Sequence, residues 1–216
     1  MHTTLPVGKM LCVGKNYEKH AREMGSGVPA DPVIFMKPAT ALVRSGGVVQ
    51  IPRVSNEMHH ELELVVVIGS TARDVSEADA MDCVLGYAVG LDMTLRDLQS
   101  TAKTRGEPWT IAKGFDTSAP ISEVVAREMV PDPHALALRL TVNGEVRQQG
   151  STRDMILTVP RILSYLSSIF TLERGDVVFT GTPEGVGQVI AGDRLFAEIE
   201  GLVAIEVTVS EQARLH

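Results

Sequence analysis

Cysteine is scarce in this chain: Cys12 and Cys83 are its only two among 216 residues. They lie far apart and each sits among apolar residues, which suits reduced, buried thiols and argues against a disulfide framework or a cysteine-ligated metal. A cytoplasmic protein is the expected setting. Runs of lysine or arginine are also missing, and 20 basic against 27 acidic side chains leave a net charge of −7. Nucleic acid would find no patch to neutralise its phosphates, so that class of partner is set aside. No apolar stretch approaches the ~20 residues that cross a bilayer, and the first residues lack a basic segment followed by an apolar one. Neither membrane insertion nor export is expected. Repeats, low-complexity tracts and Ser/Gly linkers are absent too, so residues 1–216 are expected to form a single domain with its own core.

What is present reads as more strand than helix. Asn16 can cap a short helix carrying Glu18, His20 and Arg22 and stopped at Gly25, and residues 26–32, with a glycine and two prolines, read as a loop able to move. Apolar, β-branched runs at 33–36, 62–68 and 86–91 have strand length, the last leading into a helix expected to begin near Thr94 with Asp97 three residues on. Asn143-Gly144 between 137–142 and 145–149 is a two-residue hairpin signal. Thr158-Val159-Pro160 opens a helix with Ile162, Leu163, Leu166, Ile169 and Phe170 on one face, and 177–180, 194–200 and 202–209 are strands again. The fold class expected is α+β, dominated by mixed β-sheet.

Chemistry concentrates in the segment from His59 to Ile68. Alternation with period two puts Glu61 and Glu63 on one face, and the four aliphatic residues after Leu64 suggest a strand covered on both sides. Two like charges at the entrance of such a strand need a cation or a shared proton, although a wet strand end would look similar. Asp92 ends the strand 86–91, where ligand groups collect in sheet-based enzymes, with helix capping as its ordinary alternative. Three oxygen ligands without cysteine or a spaced histidine pair suit Mg²⁺ or Mn²⁺. His59 and His60, adjacent on a strand, point to opposite faces and read as supporting residues. His20 and Glu23 share a helix face, which is general-base geometry or an ordinary surface pair. Lys113 is a lone cation in an apolar, strand-like context and needs an anion, from a substrate or from the protein itself. The glycine-rich 180–187 turn lacks the lysine of a phosphate loop and is read as offering backbone N–H groups and the Thr182 hydroxyl to an anionic ligand.

Together these residues resemble the fumarylacetoacetate hydrolase superfamily, in its short single-domain acylpyruvase branch. The match runs almost end to end: Val13 to Tyr17 with His20 and Glu23, Phe35 to Pro38, His59 to Leu64, Leu91 to Thr94 with Arg96, Asp97 and Gln99, Ala112-Lys113, Asn143-Gly144 and Gly181 to Gly187. The resemblance implies a layered roll of mixed sheets, usually a homodimer, with the segment around His20 to Pro32 acting as a lid. It implies that Glu61, Glu63 and Asp92 bind Mg²⁺ or Mn²⁺, that His20 and Glu23 form a catalytic dyad assisted by Lys113, and that Gln99, Thr182, Lys15, Tyr17, Arg96 and Gly181 lie at the substrate. Lys15 stands where many relatives have arginine, which keeps the charge but loses the bidentate fork. The implied activity is hydrolysis of the C–C bond of a 3-acylpyruvate, such as fumarylpyruvate or acetylpyruvate, to pyruvate and a carboxylic acid. Decarboxylation of oxaloacetate and keto–enol tautomerisation of a 2-oxo acid pass through the same enolate and are the runners-up. A subunit that binds a metal or organic acid without turnover is the alternative of another class.

Overall fold

The computed structural model describes residues 7–23, 25 and 32–212. Its centre is a six-stranded mixed sheet in the spatial order Val125–Ala126, Val84–Leu91, Leu62–Ile68, Val177–Phe179, Met10–Gly14, Val33–Lys37. Only the 10–14 and 177–179 pair within it is parallel. A five-stranded sheet, ordered Glu145–Ser151, Ala137–Val142, Arg194–Ile199, Val203–Glu211, Val48–Ile51, accompanies it, and Asn143 and Gly144 both take positive φ (53° and 85°) at the expected hairpin. A small three-stranded sheet sets Met58–His60 between Gly187–Val189 and Thr94–Leu95. The α+β class and the dominance of mixed sheet are as the sequence implies. No helix of the described residues is long and apolar enough to cross a membrane.

The 62–68 strand explains why a charged cluster can be held at its start. Leu62, Leu64, Val66 and Ile68 join the main core with Leu138, Leu140, Leu195, Ala197, Ile205 and Val207 of the five-stranded sheet, whereas Val65 and Val67 pack on the other face with Met10, Cys12, Ala88 and Phe179. Each buried aliphatic chain contributes about 1.5–3 kcal/mol, so the strand is anchored from both sides. Glu63 shares the parity of Val65 and Val67, and Glu61 lies one step outside the strand, between Met58–His60 and Leu62–Ile68. Its carbonyl accepts the Asp92 N–H at 2.8 Å, which ties the two acid-bearing strand ends together.

Four α-helices are described: α1 Glu18–Glu23, α2 Arg96–Arg105, α3 Thr110–Lys113 and α4 Val159–Ile169. Several local expectations change. Asn16 does not cap α1: its amide donates to the carbonyls of Leu157 and Thr180 and accepts from Leu157 N–H. Thr94 and Leu95 pair with the 58–60 strand, so α2 starts at Arg96, and the Asp97 carboxylate accepts from Ser55, Asn56 N–H and Leu98 N–H instead of closing a capping box. Lys113 ends a short helix, not a strand. In α4, Ile162, Leu163 and Leu166 are buried as expected, but Ile169 is half-exposed because the helix stops there and Phe170 packs on the core. Residues 24 and 26–31, most of the expected lid, lie outside the described residues.

Candidate active site

The two acid-bearing strand ends converge with neighbouring strands, helices and turns on one small cavity. Glu61, Glu63 and Asp92 line it, and one carboxylate oxygen from each lies within 4.8 Å of the others. His20, Lys15, Arg96, Gln99, Lys113 and Thr182 line it as well, with Phe35, Lys103 and Trp109. Glu23 does not face the cavity but reaches His20, Oε2 to Nδ1 at 3.3 Å, and accepts the Gly185 N–H at 3.2 Å. The glycine turn thus holds the acid that holds the imidazole.

The acids carry unequal environments. Burial works against ionisation of Glu61, but Lys113 at 2.9 Å and the paired Arg96 hold its carboxyl well below the usual range. Lys113 is held above its ordinary value in return, because Asp92 at 2.5 Å and Glu61 outweigh the cost of burial. Its third contact is the Thr94 hydroxyl, 2.6 Å away, which β-pairing has freed from capping. Lys37, also buried, donates to the carbonyls of Met93 and Lys113 and stands 2.8 Å from Asp92 Oδ1. That contact is an ion pair without an aligned hydrogen bond, and Asp92 Oδ1 is otherwise unpartnered. Glu63 differs from both: burial first, then Asp92 and Glu61, push its carboxyl well above the usual range, and among the described residues its one hydrogen bond is from Gly181 N–H at 2.7 Å.

These features fit a hard divalent cation. Three convergent carboxylates, one without a cation at ion-pair distance among the described residues and one with an oxygen that accepts no hydrogen bond, form an all-oxygen donor set for a small dication. Cys12 beside them is no competitor, since burial and then Asp92 raise its thiol far from the thiolate that would bind metal or attack carbon.

Other expected residues fall differently. Tyr17 is buried in the main core and does not line the cavity, its hydroxyl unpartnered and its ionisation suppressed by burial. Gly181 and Gly185 direct their N–H groups at Glu63 and Glu23, so the turn serves the protein's own carboxylates and only Thr182 faces the cavity. His60 supports from behind: its Nδ1 meets Gln148 Oε1 at 2.9 Å, and the Gln148 amide donates to Thr182 Oγ1 at 2.9 Å. Sequence patterning missed Lys37, Thr94, Lys103, Trp109 and Gln148. Lys37 and Thr94 fall within stretches that carry the family resemblance, and Lys37 also closes an apolar strand as a lone cation.

Residues 9–210 match the model of the fumarylacetoacetate (FAA) hydrolase C-terminal family. The chain is 52% identical over 206 residues to the mitochondrial oxaloacetate tautomerase FAHD1 of Arabidopsis thaliana, covering 95% of this chain and 92% of that protein. It is 51% identical to the human protein of the same name, over 94% of this chain and 91% of that one. Among solved structures, fumarylpyruvate hydrolase from Pseudomonas aeruginosa in complex with Mn²⁺ and pyruvate superposes with a TM-score of 0.92 at 43% identity, covering 98% of this chain and 93% of that one.

Proposed function

The chain belongs to the fumarylacetoacetate hydrolase family, and from that premise we propose that it interconverts the keto and enol forms of oxaloacetate. The observation that carries this is the triad Glu61, Glu63 and Asp92 set in one small cavity with His20 and an excess of cations. Two curated relatives at half identity bear the tautomerase name, which moves this activity ahead of the hydrolysis that the sequence placed first.

Glu61, Glu63 and Asp92 hold Mg²⁺ or Mn²⁺ in this reading. The ion, when bound, supplies Lewis acidity to oxygen atoms of a 2-oxo acid. His20, oriented by Glu23, takes a proton from C3 of the keto acid and the C3–H electron pair becomes the C2–C3 double bond. The charge then on the 2-oxygen faces Lys113 and Arg96, and His20 returns the proton to that oxygen. The reverse order converts enol to keto, and no other reactant is consumed. Burial of the cavity keeps bulk water from competing for the proton.

Hydrolysis of an acylpyruvate is the second reading, favoured by the fumarylpyruvate hydrolase neighbour. Here His20 takes its proton from water attacking the distal carbonyl, the C–C bond breaks, and its electron pair forms the enolate of pyruvate, which His20 then protonates. Both readings are tested on one Mg²⁺-loaded preparation by following the enol absorbance of oxaloacetate and the diketone absorbance of fumarylpyruvate and acetylpyruvate. Ketonisation should be accelerated, lost in EDTA and slowed about 10²–10⁴-fold in His20→Ala. Ketonisation indifferent to both would overturn the tautomerase reading, and a larger kcat/KM for fumarylpyruvate would replace it with the hydrolase. Pyruvate appearing from oxaloacetate in the same samples reports decarboxylation.

A further inference from the structure

Among the described residues, two lysines at the cavity have no carboxylate of their own. Lys15 lines the wall at φ 62°, a left-handed conformation uncommon for a side-chain-bearing residue. It is held there because the next residue, Asn16, is locked by hydrogen bonds to Leu157 and Thr180. Lys103 arrives from α2 on the same stripe as Arg96 and Gln99, at positions i, i+3 and i+7. Its Nζ rests 5.3 Å from the centre of the Trp109 ring, which tilts against Phe35 at 5.9 Å. Among the described residues neither lysine pairs with an acid. Burial, then the nearby Arg96 and Lys15, lower the Lys103 ammonium below its ordinary value, so these cations feel one another across the cavity.

Gln99 adds a neutral donor. Arg96 Nη1 lies 2.6 Å from its Oε1 and can only donate, which leaves the Gln99 NH₂ to face a ligand. The inner cations, by contrast, are already engaged: Lys113, Lys37 and Arg96 pair with Asp92 and Glu61. The wall carrying Lys15, Gln99 and Lys103 therefore presents donors that meet no carboxylate among the described residues.

We propose that Lys103 is a specificity-determining residue which receives the distal carboxylate of a dicarboxylic 2-oxo acid, leaving the Trp109 face to do so, with Lys15 as the second cation. The inference rests on the 2-oxo acid reading above and adds which 2-oxo acids are preferred. Oxaloacetate and 2-oxobutyrate test it, because they share a four-carbon 2-oxo acid frame and differ in a distal carboxylate against a methyl group.

Trp109 is the chain's single tryptophan and reports directly on the ring under Lys103. Its emission is followed while each acid is titrated into the Mg²⁺-loaded protein, in wild type, Lys103→Met and Lys103→Arg. Methionine keeps a flexible stem over the indole without the charge. In wild type, oxaloacetate should bind at least about tenfold more tightly than 2-oxobutyrate, close to 1.4 kcal/mol. Lys103→Met should cut that preference below about threefold by weakening oxaloacetate, and Lys103→Arg should largely retain it. A preference unchanged in Lys103→Met overturns the role of Lys103 and leaves the 2-oxo acid reading standing. If wild type binds neither acid, both fall.

Discussion

Glu63 is the acid whose charge the protein does not balance by direct pairing. Among the described residues Glu61 has Lys113 and Arg96, and Asp92 has Lys113 and Lys37, whereas Glu63 has only the Gly181 N–H. Glu63→Gln keeps the shape and an acceptor for Gly181 while removing one of three crowded negative charges. It should weaken Mn²⁺ binding about a hundredfold by calorimetry, a loss at the upper end for groups that tune a metal site. After EDTA treatment its Tm should equal or exceed that of wild type, since a buried like-charge contact is gone. Saturating Mg²⁺ at about 100 times Kd should stabilise wild type by ~2.7 kcal/mol, roughly 5–10 °C for a chain of this size, and should do little for the variant. Unaltered Mn²⁺ affinity would remove Glu63 from the ligand set. Glu61, Glu63 and Asp92 were legible in the sequence because alternation and strand length place them locally. Lys37 was not, because its partners Met93 and Lys113 lie 56 and 76 positions away, and no local pattern carries that proximity. Lys103 drew no reading from the sequence for the same reason.

At the scale of elements, the site depends on how closely three strands approach. Gly90 is the register partner of Glu63, and a Cβ there would stand 2.6 Å from Val65 Cγ2 and 2.8 Å from the Phe179 ring. Both neighbours are fully buried, so neither can swing away. Gly90→Ala should therefore destabilise the protein by about 1–3 kcal/mol, a fall in Tm of some 2–12 °C at about 2–4 °C per kcal/mol. Because the displaced strand carries Asp92 two residues on, Mg²⁺ affinity should fall with it. An unchanged Tm would show that the strands can part without strain. Strand and hairpin positions were readable where turn chemistry is local, as at Asn143-Gly144. The segments that resisted were those decided by distant pairing: Thr94-Leu95 is captured by the 58–60 strand, and Asn16 is drawn from capping to the 157 and 180 carbonyls.

Over the whole molecule, net charge and local charge point in opposite directions. The chain carries −7 and, taken as a uniform sphere, would repel a dianionic acid. Three cavity carboxylates are met by Lys113 and Arg96 from the lining and by Lys37 from behind it, so a bound dication leaves a local excess of two positive charges, before Lys15 and Lys103 are counted. Fields in a low-dielectric cleft act over short range and outweigh distant surface charge. The two views give opposite signs for the effect of salt. Raising ionic strength from about 0.01 M to about 0.15 M shortens the screening length from roughly 30 Å to roughly 8 Å. If net charge governed encounter, kcat/KM for oxaloacetate would rise as repulsion is screened. With the loaded cavity in control it should fall several-fold at saturating Mg²⁺, and the slope should flatten in Lys103→Met, where one attracting charge is gone. A rise with salt would mean that the acidic surface, not the cation-lined cavity, decides how the substrate arrives.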